Sequence, residues 1–162
     1  RAITEKMDED PAFYERFSKL IQQAIDDFLS RRISDMEYLN RVSEIRGKVA
    51  TRQHDDIPAK LDGNEDAMAF YGVITPFIDS LQLPDALREE LSADIALAIQ
   101  DILKRNWKVQ FWDDPDAEKR TINEIDDYLY DEINGRRNLE LSLDQMDGII
   151  TQAMQVARHR IY

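Results

Sequence analysis

Enzymatic chemistry needs a nucleophile, a proton carrier, a metal cage or a phosphate cradle. The chain has two histidines, His54 and His159, and no cysteine. It therefore has no disulfide, no thiolate nucleophile and no cysteine-type zinc site. A di-metal site in a helical bundle needs Glu-x-x-His pairs facing inward, but Thr51 and Val156 stand where the glutamates would be. His54 lies beside Asp55 and Asp56, which suits a solvated imidazole better than a general base, since no nucleophile is near it in sequence. The run Asp113-Asp114-Pro115-Asp116 has the acid density of a calcium loop. Counted from Asp114, however, the sixth position is Lys119 instead of glycine and the twelfth is Ile125 instead of glutamate. Acids at the start of a helix complement its macrodipole without any ion. Gly47-Lys48 lacks the second glycine and the following Ser or Thr of a phosphate-binding loop, and no G-x-G-x-x-G or G-x-S-x-G occurs. No catalytic, cofactor-binding or metal-binding residue is therefore assigned.

Two charge patterns remain. Basic residues gather at Lys104-Arg105 with Lys108, at Arg136-Arg137 and at Arg158-His159-Arg160. If Lys104, Arg105, Lys108, Arg136 and Arg137 share a face, they make a DNA-contacting surface with salt-dependent affinity. At helix ends the same cations complement the dipole with no partner at all. Trp107 and Trp112 could stack a base, although tryptophan among apolar neighbours is more often core. The acidic pattern lies in 114–133, where Glu118, Asp126, Asp127, Asp131 and Glu132 surround Tyr128 and Tyr130. Asp126, Asp127, Tyr128, Tyr130 and Asp131 form the candidate partner surface, with carboxylates to attract a basic patch and tyrosines as amphipathic anchors.

The elements that must carry these residues follow from composition and period. The 162 residues hold 21 Lys and Arg against 33 Asp and Glu, a net charge of −12, which repels nucleic acid unless the bases cluster. Hydrophobic residues make up 43%, too many for a disordered chain, and glycine and proline are scarce at five each, which favours helices over strands. No apolar run approaches membrane-spanning length, and the expected location is the cytoplasm. The opening Arg1 and the charged stretch after it suggest a piece of a longer protein. The reading is one helical domain over 1–162, with 1–9 a flexible lead-in.

The predicted fold is all-α, a compact bundle of about six helices near 11–31, 34–52, 64–81, 84–105, 114–133 and 143–159, with a short extended aromatic connector at Trp107 to Trp112. Asp10-Pro11 and Asp114-Pro115 are cap-then-proline starts. Ser34-Asp35-Met36-Glu37 and Ser142-Leu143-Asp144-Gln145 are capping boxes. Pro84-Asp85 opens the fourth helix, and Asn64 caps the third, which Pro76 should break or kink. Asn134-Gly135 is a helix stop. The stretch Gln53 to Asn64 has no period and reads as the longest loop. Inward stripes are expected at Phe13, Phe17, Leu20, Ile21, Ala24, Ile25 and Phe28; at Tyr38, Leu39, Val42, Ile45 and Val49; and at Ala67, Phe70, Tyr71 and Ile74, continuing through Phe77, Ile78 and Leu81. The later ones are Leu87, Leu91, Ile95, Ala98, Ile99 and Ile102; Ile122, Ile125, Leu129 and Ile133; and Leu143, Met146, Ile150, Ala153 and Ala157.

The order of segments adds a resemblance. Ser34-Asp35-Met36-Glu37-Tyr38-Leu39 opens a helix, and Asn64-Glu65-Asp66-Ala67-Met68-Ala69-Phe70-Tyr71 opens another. After these come the long helix from Leu87 to Leu103, Val109-x-Phe111-Trp112, a helix carrying Arg120, Ile122 and Ile125, and an acidic-capped final helix. Over roughly residues 10 to 158 this resembles the C-terminal helical domain of the R (HsdR) subunit of type I restriction enzymes. The resemblance implies membership of a site-specific, ATP-dependent endonuclease subunit whose other domains bind ATP and magnesium, cut DNA and translocate it. This domain would be non-catalytic and free of cofactors, and would join the subunit to the methyltransferase and specificity subunits. DNA would be met through the whole complex. The family's helix after the tryptophan is often basic, whereas 113–132 here holds nine acids against Lys119 and Arg120, which argues against a phosphate-backbone role for it.

Overall fold

The computed structural model describes residues 10–51 and 57–161. The lead-in at 1–9 and His54 lie outside the described residues, as does most of the first half of the predicted loop. The chain is all-α, and no strand occurs among the described residues. Six α-helices follow in order among the described residues: α1 Pro11–Leu29, α2 Asp35–Thr51, α3 Glu65–Asp79, α4 Asp85–Asn106, α5 Pro115–Tyr128 and α6 Leu143–Arg160. Single 3-10 turns sit at Ala59–Leu61 and Phe111–Asp113, and α5 runs on without a break into a π-helical segment, Leu129–Arg136. No helix among the described residues is long and apolar enough to cross a membrane. The chain divides after Asp56 into two compact units.

The first unit is a helical hairpin. The Asp10 carboxylate accepts from the Phe13 N–H at 3.3 Å, with Pro11 at the first helical position. The Ser34 hydroxyl accepts from the Glu37 N–H at 3.2 Å to start α2. Between them the chain reverses at Arg31, whose φ of 60° is left-handed. Across the hairpin, Arg41 donates to Asp27 at 2.8 Å and holds that carboxyl below its ordinary range. Phe13, Tyr14, Phe17, Ile45 and Val49 make a small core, with Ile21 against it. Phe28 stacks on Tyr38 with ring centroids 4.6 Å apart. The expected stripes are too wide here. Leu20 is 42% and Leu39 is 59% exposed, since among the described residues of this unit each stripe faces one helix.

The second unit holds α3 to α6. α3 packs on α4 and α6, and α5 also packs on α4 and α6, so the four helices close a ring around one core. Leu61, Phe70, Ile74, Ile78, Ile95, Ile99, Leu103, Phe111, Ile125 and Leu129 are buried there. Asn64 caps α3, accepting from the Ala67 N–H at 3.1 Å, and its amide exchanges two hydrogen bonds with Gln100 of α4 at 2.8 and 2.9 Å. The capping box at Ser142 and Gln145 is complete. Leu87 and Leu143 are exposed, contrary to their assigned stripes, because they lie in the first turns of α4 and α6 beyond the edge of the core.

Two local expectations change, and α3, expected to run to 81 with a break or kink at Pro76, is unbroken there and ends at Asp79. The carbonyl that faces the proline ring belongs to Gly72, and the lost hydrogen bond falls on an exposed turn near the helix end. Asn134-Gly135 is not a stop, since the π-helical turns carry the helix to Arg136. Asn134 acts instead as a bridge, its amide donating to the Leu141 carbonyl at 2.9 Å and accepting from the Leu141 N–H at 2.8 Å. The aromatic connector is extended only at Trp107. It then turns through Gln110, with φ 62°, into the 3-10 turn at Phe111.

Candidate functional site

The acidic helix is positioned by its buried row. Asp114 caps α5, accepting from the N–H groups of Asp116 at 3.0 Å and Ala117 at 3.1 Å. Ala117, Thr121, Ile125, Leu129 and Ile133 then face the core at intervals of four. In an α-helix such a row drifts around the axis by about 40° per step. The wider π-helical turn after Tyr128 drifts the other way, which returns Ile133 to the core. Ile122, expected inward, is half-exposed, and the small Ala117 and Thr121 hold the inner positions instead. A period-four count would have found this row, but a search for large apolar residues passes over alanine and threonine.

The five candidate partner residues do not form one patch. Asp126 lines a groove between α5 and α6, with Ile122 on its own helix and Ile150 and Met154 on the other. Asp127, Tyr128 and Asp131 line a second groove, between α4 and the α5–π helix, which also contains Arg105, Glu124, Glu132 and Arg136. A step of one residue turns the helix by about 100°, so Asp126 and Asp127 diverge, while Asp127 and Asp131 share a face. Tyr128 is half-buried, and burial pushes its phenol above the ordinary range. Tyr130 is 63% exposed.

The candidate DNA contacts are mostly engaged within the protein. Arg105 pairs with Asp101 at 3.1 Å and also with Glu124. Lys108 pairs with Asp114 at 2.6 Å. Arg136 donates to Glu132 at 2.7 Å, and Arg137 to Asp94 at 3.0 Å. Hydrogen bonds from these cations draw Asp114 and Glu132 below the ordinary carboxylate range. Burial would raise Asp94, yet the hydrogen bonds from Lys60 and Arg137 outweigh it and the net shift is downward. Lys104 makes no ion pair among the described residues and lines a different hollow, near Asn64 and Arg160. Arg105 and Arg136 thus share a groove, and Lys104 lies apart from them.

The tryptophans and the basic terminus brace one another. The Trp112 indole N–H donates to the Ile161 carbonyl at 2.6 Å, and Arg158 lies 4.6 Å over the Trp112 ring while pairing with Glu118 at 3.3 Å. Trp107 stacks on Phe111 at 5.0 Å. Arg160 pairs with Asp66 at 2.7 Å and so ties the end of α6 to the start of α3. Among the described residues no three His, Asp or Glu side chains are arranged to hold a metal ion. On the acidic helix, Asp126, Asp127 and Asp131 have no ion-pair partner among the described residues, and Tyr130 is exposed. Comparison with protein-family models, with curated proteins and with solved structures finds no match to this chain.

Proposed function

We propose that the chain is a non-catalytic helical assembly domain. In this reading it docks the ATP-dependent, DNA-translocating endonuclease subunit of a type I restriction-modification system to its methyltransferase and specificity subunits. The specific system comes from the resemblance of ordered segments described above. The observation that carries the docking role is an asymmetry in ion pairing. Arg105, Lys108, Arg136, Arg137 and Arg158 are engaged by internal carboxylates, while Asp126, Asp127 and Asp131 on the acidic helix have no internal cation. Asp126 carries this unpaired charge into the groove against α6, and Asp127 and Asp131 carry it into the groove against α4. Such charge suits a basic protein surface and opposes a phosphate backbone.

The test is association with the methyltransferase core, measured with the intact subunit, the subunit lacking this segment, and the triple variant Asp126→Asn, Asp127→Asn, Asp131→Asn. The segment is expected to be required for assembly. The triple variant should associate about tenfold more slowly with a flatter salt dependence, and its circular dichroism should be unchanged. Assembly that persists without the segment would end the docking role.

A further inference from the structure

The groove between α5 and α6 has a definite chemical character. Half-exposed Ile122 and the outer edges of the largely buried Ile150 and Met154 form its apolar strip, beside Asn123, Thr151 and Gln155, and its volume is about 630 Å³. That is within the range of sites that accept side chains from a ligand or partner. Asp126 stands on the α5 wall and Asp147 on the α6 wall, and neither carboxylate has an ion pair among the described residues. The Glu118–Arg158 pair belongs to the same lining. The groove thus offers an apolar strip between two walls that each carry an unneutralised negative charge.

We infer that this groove seats a basic amphipathic helix of a partner protein. Aliphatic residues at helical spacing would cover the strip, and Lys or Arg on the flanks of the same helix would meet Asp126 on one side and Asp147 on the other. Two helices form the walls, so no strand edge is available to satisfy the backbone of an extended peptide. A helix satisfies its own backbone and needs only side-chain contacts. A nucleic acid is disfavoured by the two unpaired carboxylates. A second copy is disfavoured by the net charge of −12 on every copy. The inference rests on the assembly reading above and adds to it the chemistry of the docked segment.

The probe is a leucine–lysine amphipathic helical peptide, with its leucine–glutamate counterpart as control, titrated into the isotope-labelled 162-residue chain and followed by amide NMR. Shifts should cluster at Ile122, Ile150, Thr151 and Met154. The double variant Asp126→Lys, Asp147→Lys should weaken binding about tenfold. Ile122→Arg, at a half-exposed position, should abolish binding with an unchanged helical spectrum, and the glutamate peptide should not bind. Shifts spread over the acidic surface without a cluster, or unchanged affinity in the double variant, would overturn the groove. A dimer of the chain alone that Ile122→Arg dissolves would overturn it too, because the occupant would then be a second copy. The groove and the assembly reading fail separately. Groove variants that still assemble with the methyltransferase core, where deletion of the segment does not, overturn the groove alone. Assembly that survives the deletion overturns the assembly reading, while the peptide titration decides the groove independently.

Discussion

The hairpin of α1 and α2 and the ring of α3 to α6 are built from similar residues, yet they bury them differently. In the ring each helix has two neighbours, so apolar stripes are covered from two directions and Ile74, Ile95, Ile99, Ile125 and Ile149 are wholly buried. In the hairpin each helix packs on one other helix among the described residues. Leu20, Leu29, Met36 and Leu39 are exposed there, and the buried cluster joins five of the described residues. The difference lies in how many sides of each stripe are covered among the described residues, and the hairpin's described contacts include its aromatic cluster and the Asp27–Arg41 pair.

The largest test of this contrast is Ile125→Ala, with Leu91→Ala as its companion. Both sites are closed on all sides, so each substitution should cost about 2–5 kcal/mol by denaturant unfolding. A loss under 1 kcal/mol would mean that the ring relaxes like an open surface. An intermediate effect is expected from the junction inside the ring where Asp94 receives Lys60 at 2.8 Å and Arg137 at 3.0 Å. The folded pKa of Asp94 lies below its unfolded value, so its contribution is fully present above the unfolded carboxylate range. It is lost as pH falls through the lowered folded value. Asp94→Asn should flatten the acid limb of the stability profile and leave its alkaline side unchanged in shape. An acid limb identical to that of the parent would remove Asp94 from the account. The smallest effect belongs to Leu39→Ala, on the exposed face of the hairpin, which should stay within about 0.5 kcal/mol. A cost comparable to Ile125→Ala would show that this leucine is buried in solution.

The candidate site was less legible than the fold. Tyr128 and Asp126 were correctly placed on one helix, but a sequence pattern gives the angle between residues only for the helix type assumed. The π-helical turns at Leu129–Arg136 change that angle for the residues beyond Tyr128, and which groove Asp126 or Asp127 meets depends on where α6 and α4 pack. The same holds for charge. Arg105, Arg136 and Arg137 are basic in any listing of the residues, yet their ion-pair partners come from other helices or other turns. The i,i+4 pairs Arg105–Asp101 and Arg136–Glu132 can be read along the chain, whereas Arg105–Glu124 and Arg137–Asp94 appear only in the fold. The Asp147 wall of the groove was missed for this reason, since nothing local marks that aspartate off from its neighbours.

Local physics decided the helical class, the caps at Asp10, Asn64, Asp114 and Ser142, and most of the inward stripes of the ring. Each depends on residues within a turn or two of one another, where backbone donors, side-chain acceptors and the helical period act at fixed distances. Tertiary structure alone decided the rest. It set which apolar stripes found a cover, which charges were neutralised by partners dozens of residues away, and how the acidic helix divided its carboxylates between two grooves. Those outcomes depend on helix neighbours in space, and the covalent chain brings such neighbours together only once the core has closed.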